Sequence, residues 1–200
     1  MNRPLIGITL GDPAGIGPEI IIKSLYDKDI YNKSKPIVIG DKFVLEKYIE
    51  MLSSDLEINV VDSPEDGLYK YGTVDLIDIN YIKNHDFAIG KIDGECGIAS
   101  FKYIEKSIEL ALKNEIDVVT TGPINKESFK AGGINFIGHT EVFGELTNSH
   151  DPLTVFEVDS LRIFFLSRHL SLRDACDAVK KDRIIDYVKR GTKELEKYGI

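Results

Sequence analysis

With 200 residues, 42% of them apolar and 29% charged, the chain has room for one full core, or for one domain plus part of another, and the make-up of a globular protein. Its net charge of −8 argues against a nucleic-acid partner, which calls for a basic stripe, and obliges any anionic ligand to find a local cluster of Lys or Arg. No apolar stretch approaches the ~20 residues of a bilayer span, Cys96 and Cys176 form no CxxC, and no secretory segment precedes them, so a reduced, cytoplasmic setting is expected.

Leu5 to Leu10 is a nearly continuous apolar run, as in a strand buried on both faces. It enters Gly11-Asp12-Pro13-Ala14-Gly15-Ile16-Gly17-Pro18-Glu19, where Pro18 suits the start of a helix that Ile20, Ile21 and Leu25 continue. Strand, glycine-rich loop and helix start can together offer backbone N–H groups to an anion or a cofactor, which makes Gly11, Asp12, Gly15 and Gly17 candidate cofactor contacts. The loop lacks the third glycine of a dinucleotide fingerprint and the Gly-Lys-Ser/Thr of a Walker loop, so a purely structural turn stays open. Ile37 to Gly40 reads as a second strand, Lys42 to Leu52 as a helix and Leu56 to Val61 as a third strand. Residues 62–73 read as a loop, and the alternation of Val74 to Ile79 suggests an edge strand. His85 sits in a polar loop and reads as a surface residue. Three glycines in 86–97 imply a loop, followed by a long helix from Ile98 to Asn114 with a core-facing apolar stripe.

Asp117 to Thr121 is a strand that runs straight into Gly122-Pro123, and ligands of open α/β sheets bind beyond such strand ends. Asn125 and Lys126, the Gly132-Gly133 turn, Gly138 and His139-Thr140-Glu141 follow. Backbone that can approach a ligand, interleaved with Lys, His and Thr, makes an anion-binding and acid/base surface; a solvated glycine-rich loop is the plain alternative. Glu141 to Leu146 should be a short helix, and residues 150–152 a turn. Leu153 to Glu157 and Leu161 to Leu166 form a hairpin over Asp159-Ser160, delivering Ser167-Arg168-His169. Ser171 caps a helix with Asp174 in its first turn, and Asp182 to Tyr198 is the last helix, ending at Gly199. Helices and strands alternate throughout, so the class is α/β with a largely parallel sheet.

Four motifs, GDPAGIGPE from Gly11, TGPxxK from Thr121, GHTE from Gly138 and HLxLRD from His169, stand in an order and spacing that resembles the 4-hydroxythreonine-4-phosphate dehydrogenase family of vitamin B6 biosynthesis. The resemblance runs along all 200 residues. It implies a two-lobed, mostly parallel fold like that of isocitrate and isopropylmalate dehydrogenases, with residues 1–122 as a first lobe and 123–200 as part of a dimerising, metal-binding second lobe. It implies that His139 and Thr140 bind substrate and that His169 is one of three histidines holding a divalent cation (zinc, magnesium or cobalt) at a homodimer interface. NAD would take up hydride. Lys126 would touch phosphate or carboxylate, with a solvated lysine as the alternative. Family members are longer, and the part beyond this chain would carry two metal-ligand histidines, a substrate-binding Lys, Asn and Arg, and most NAD contacts.

The activity implied is oxidation with decarboxylation of 4-phosphohydroxy-threonine in pyridoxal phosphate biosynthesis. Members dedicated to vitamin B6 tend to have Thr before the metal histidine and Pro two residues after it; Arg168 and Ser171 stand there instead. This is similar to the sister group acting on 4-phospho-threonate or 4-phospho-erythronate, and Arg168 would favour the fully anionic acid. Two readings of other classes stand beside it: a truncated, non-catalytic dimerisation remnant, and a phosphate-binding module without redox chemistry.

Overall fold

The computed structural model describes residues 3–83, 86–149, 151–197 and 199–200. The surface position expected for His85, the start of the turn at His150 and the helix end at Tyr198 lie outside the described residues. Two compact units divide the chain, Met1–Ser149 and His150–Ile200.

The first unit is a five-stranded sheet in the order β3-β4-β2-β1-β5, parallel at every pairing. Along the chain come β1 (Leu5–Thr9), α1 (Gly17–Ser24), α2 (Lys28–Lys33), β2 (Lys35–Gly40), α3 (Lys42–Met51) and β3 (Glu57–Val60). A 3-10 turn (Pro64–Asp66), β4 (Thr73–Asp78), α4 (Gly94–Leu112), β5 (Val118–Thr121), α5 (Lys126–Ala131) and α6 (His139–Leu146) complete it. Val38, Ile39, Leu76, Ala99 and Tyr103 form the heart of the main core, with Leu10 and Tyr48 beneath the loops at the carboxyl ends of the strands. The α/β class and the parallel sheet expected from the alternation are what the structure shows.

Three expectations need correction. β4 lies inside the sheet, between β3 and β2, and the edge positions belong to β3 and β5. The alternation misleads because Asp75, one of its polar residues, is buried: it accepts hydrogen bonds from Asn59 Nδ2 and the amides of Leu68 and Tyr69. α4 begins at Gly94, four residues before the expected start, with the Asp93 side chain capping the Cys96 amide. Its glycines are contact points. A β-carbon at Gly97 would stand 2.1 Å from the Ser128 carbonyl oxygen, and one at Gly94 2.9 Å from that of Ala131, so α4 and α5 meet backbone to backbone. α5 itself occupies what reads as loop, because Asn125 spends its side-chain oxygen on the amides of Glu127 and Ser128 and so starts a helix.

Residues 123–149 belong to the first compact unit, whereas the sequence places a lobe boundary at 122/123. The reason is a second core cluster in which Phe129 of α5 and Val142 of α6 pack on Ile104 and Ile108 of α4.

The second unit holds the expected hairpin, β6 (Val155–Val158) against β7 (Leu161–Phe164), with Asp159 at φ +53° in its turn. α7 (Leu172–Ala178) starts at Ser171, whose hydroxyl accepts from the Asp174 amide, and α8 (Lys181–Lys197) follows. Tyr187 of α8 is sandwiched between the guanidinium groups of Arg183 and Arg190, 4.7 and 4.8 Å from its ring centre. Its hydroxyl donates to Asp151, which also pairs with Arg190 at 2.7 Å.

Candidate functional site

β1 is the point where the strand order reverses: β2 lies on one side of it and β5, reached after α4, on the other. Loops leaving two such strands diverge and open a crevice at their carboxyl ends. Here both loops are pinned at their base. The Asp12 amide donates to the Pro123 carbonyl at 3.0 Å, and the Gly122 amide to that of Thr9 at 2.9 Å. Gly122 has no room for a side chain, since a β-carbon would come within 2.6 Å of the Thr9 oxygen.

His139 opens α6 beside this crevice, and its ring hydrogen-bonds the Gly122 backbone. The imidazole is half-buried, and its Nε2 is enclosed without a hydrogen-bond partner. Burial lowers its pKa, against the Gly122 contact that raises it, so the ring is neutral at pH 7. Thr140 stands next to it, exposed. Glu141 turns back to accept from the Ile137 amide at 2.7 Å, which closes the turn that presents the pair. Lys126, also exposed, begins α5. His139, Thr140 and Lys126 are therefore in one unit, on the helix starts that follow β5. The joint presence of Gly-Pro and Gly-His-Thr in the sequence is the signal that finds them.

Packing accounts for much of the Gly11 to Gly17 loop. Gly11, at φ +76°, lies under the Pro123 carbonyl, and a β-carbon at Gly17 would reach 2.4 Å from that of Leu10. Gly15 has looser surroundings, and Ile16 is 58% exposed, so the open part of the loop is its last third. No side chain caps α1; Pro18 carries no N–H and the Ile20 amide donates to the Ile16 carbonyl at 3.0 Å, so only the Gly17 and Glu19 amides of the first turn could serve an anion. Asp12 points the other way. It is 2% exposed, its Oδ1 takes the Ala14 amide at 2.8 Å, and its Oδ2 is buried without a geometric hydrogen bond. Burial raises its pKa, and the contacts with the Ser128 side chain and the Ala14 amide only partly offset that. Asp12 thus props the loop from inside. Tyr48, not singled out from the sequence, does the same: its hydroxyl lies 2.9 and 2.8 Å from the carbonyl oxygens of Pro13 and Gly15. Burial first, and the charge of Asp12 second, push it up to about 12, so it keeps the proton it donates.

Arg168 and His169 lie in the second unit, after β7. Arg168 donates from Nη2 to the Pro152 carbonyl at 3.3 Å. His169 is exposed and holds φ +54°, a region costly for a residue with a β-carbon. Among the described residues no group of three or more His, Cys, Asp or Glu could hold a metal ion. A single imidazole does not make a catalytic metal centre, so the donors described here do not fit that group by themselves.

Comparison with known proteins agrees with this architecture. The family described as "Pyridoxal phosphate biosynthetic protein PdxA" matches residues 32–200. A Clostridium botulinum protein named "Putative D-threonate 4-phosphate dehydrogenase" is 49% identical over 199 residues, covering all of this chain and 60% of the relative. A Symbiobacterium thermophilum protein of the same name is 52% identical, and 59% of it is covered. Among solved structures, a 4-hydroxythreonine-4-phosphate dehydrogenase from Burkholderia phymatum superposes with a TM-score of 0.93 at 33% identity, over all of this chain and 60% of that one. One from Klebsiella pneumoniae gives 0.91 at 29% identity, over 99% and 60%. The chain spans about 60% of the length of the relatives it matches. A family match over most of the chain, on a fold shared with those dehydrogenases, means that the chain belongs to the PdxA family.

Proposed function

We propose that the chain supplies the substrate-facing part of an NAD-dependent dehydrogenase that oxidises, with decarboxylation, a phosphorylated hydroxy acid. The observation that carries this reading is His139: a half-buried imidazole with an enclosed, unpartnered Nε2, set beside an exposed threonine at the strand-order reversal. Such a nitrogen is aimed at a hydrogen bond that the protein itself does not satisfy. His139 and Thr140 would hold the hydroxy acid, and Lys126 its phosphate or carboxylate. The Gly17 and Glu19 amides at the start of α1 would offer a second anion contact, next to the open part of the Gly11 to Gly17 loop. NAD, when bound, would take up the hydride of the carbinol carbon, with the hydroxyl proton passing to solvent. The resulting β-keto acid would lose its carboxylate as CO2, and the enolate left would take up a proton from solvent. No step is assigned to a metal; His169 would contribute one imidazole to a site whose other donors are not among the described residues.

For the substrate, 4-phospho-D-threonate or its erythronate isomer is the better candidate than 4-phosphohydroxy-threonine. The names of the relatives at 49% and 52% identity support it, as does Arg168, whose charge favours an acid without an amino group. A role in pyridoxal phosphate synthesis rests on the family alone.

The test joins this chain to the part of the C. botulinum relative that it does not match. NADH formation is then followed with both phosphorylated acids and a divalent cation. The fusion should turn over phospho-threonate, and the 200-residue chain alone should turn over neither acid. Arg168→Thr in the fusion should shift the ratio of kcat/KM toward 4-phosphohydroxy-threonine by about 1–3 kcal/mol, the scale of a charged hydrogen bond. A folded fusion inactive on both acids would leave the remnant reading standing, and an unchanged ratio would remove Arg168 from substrate choice.

A further inference from the structure

We propose that Arg183 and Arg190 are positioning residues for Arg168, holding it from both ends and so setting which acid is preferred. The link to the acid rests on the reading above, in which the charge of Arg168 selects the substrate. The strand ladder does not reach Arg168. β7 ends at Phe164, and the last backbone bond across the hairpin runs from the Phe165 amide to the Thr154 carbonyl at 3.0 Å. Two side chains of α8 take over from there. Arg183 donates from Nε to the Leu166 carbonyl at 2.9 Å, two residues before Arg168. Arg190 grips Asp151 with a fork, Nη1 on its backbone oxygen and Nη2 on Oδ2, both at 2.7 Å. The next residue, Pro152, presents the carbonyl that accepts from Arg168 Nη2 at 3.3 Å. Arg183 therefore fixes the backbone from which Arg168 springs, and Arg190 fixes the acceptor on which its guanidinium rests.

Tyr187 joins the two grips. Its hydroxyl accepts from Arg183 Nη2 at 3.0 Å and donates to Asp151 Oδ1 at 2.9 Å. Arg183, Tyr187 and Arg190 follow at spacings of four and three, so they share one face of α8. Arg190 is itself held in the helix, since its Nε donates to Asp186 at 2.8 Å. A guanidinium has five N–H donors, so Arg168 can rest one on Pro152 and still turn a planar fork to a carboxylate or phosphate. A cation that swings freely loses more rotamer freedom on binding and distinguishes less sharply between an acid with and without a neighbouring amino group. Fixing Arg168 therefore acts on discrimination, whereas a network that only steadied α8 would act on stability and treat both acids alike.

Two measurements test this. In the 200-residue chain, nitrogen NMR follows rotation of the Arg168 guanidinium, its Nε–H signal identified by loss in Arg168→Thr. Arg190→Ala and Arg183→Ala should each speed that rotation by at least about fivefold, the scale of one lost hydrogen bond, with the circular dichroism unchanged. Tyr187→Phe keeps the ring and deletes one hydroxyl; it should move rotation the same way by less, and it serves if an alanine variant does not fold. In the fusion described above, Arg190→Ala should shift the ratio of kcat/KM toward 4-phosphohydroxy-threonine by about fivefold. Adding Arg190→Ala to Arg168→Thr should shift it no further than Arg168→Thr alone, the non-additivity of residues that act as one. Rotation as free in the parent as in these variants would overturn the proposal. So would an unchanged ratio in Arg190→Ala where Arg168→Thr does change it, which would leave the network a support of α8 only. An unchanged ratio in Arg168→Thr itself would overturn the substrate reading and the link to acid choice, and rotation in the chain alone would still decide whether the grip exists.

Discussion

Gly97 is the residue at which the fold allows least choice. A methyl group there would lie 2.1 Å from the Ser128 carbonyl oxygen, a backbone atom that cannot swing away. α4 and α5 would have to separate, and with them the helix start that carries Lys126. Gly97→Ala should cost about 1–3 kcal/mol, the usual range for overpacking, and lower the urea midpoint accordingly. Gly138 is the contrast: its φ is 175°, and nothing stands within 4 Å of a β-carbon. Gly138→Ala should stay within about 0.5 kcal/mol of the parent. Equal midpoints for the two variants would show that the α4–α5 contact is looser than its distances imply. Asp12 makes a related point: it is buried in a glycine loop and takes the Ala14 amide from inside it.

At the scale of elements, the second unit rests on the tie between Asp151 and α8. Burial opposes ionisation of Asp151, but hydrogen bonds from Tyr187 and Arg190 and the charges of Arg183 and Arg190 outweigh it, and the pKa is lowered. A carboxyl depressed by folding stabilises the folded form above its unfolded value, near 3.9, and loses that contribution as pH falls through the folded value. The side chain is 40% exposed, so solvent screening limits the pair to about 1 kcal/mol or less. The protection of α8 amides, taken relative to intrinsic exchange at each pH, should therefore fall below about pH 4 in the parent. In Asp151→Asn that protection should be lower at neutral pH and change little on acidification. Identical acid profiles for the two proteins would exclude Asp151 as the origin.

At the scale of the molecule, apolar surface is the outstanding feature of the second unit. Phe156, Val158 and Leu161 of the hairpin are each 59–60% exposed, and Phe156 packs only edge-on against Phe165 at 4.7 Å. Contiguous apolar surface of this kind marks an interface, and two-fold dimers are the commonest assembly. We propose a homodimer through the hairpin. Sedimentation of the folded chain should show a dimer, and Phe156→Asp should shift it toward monomer. A parent that remains monomeric at high concentration would end that proposal.

Fold class, the β1 to α1 passage, the hairpin and the Ser171 cap were legible in the sequence, because each depends on neighbours within a few residues: an apolar run, a Pro at a helix start, a turn dipeptide, a hydroxyl three residues before an acid. That His139, Thr140 and Lys126 stand together after β5 was legible for the same reason, as motifs beside glycines; their roles are the proposal made above. Only the tertiary structure could decide the rest. Asp75 reads as one solvent-facing position in an alternating strand until three donors from another strand and a loop are seen to meet it. Gly94 and Gly97 read as a loop until α5 lies against them, since a glycine's role depends on what approaches it from outside its own segment. Residues 123–149 join the first compact unit because Phe129 and Val142 close a second core on α4, a contact that no local pattern announces. Contacts between segments distant in the chain have no period and no local signature, so they become visible only when the chain is folded.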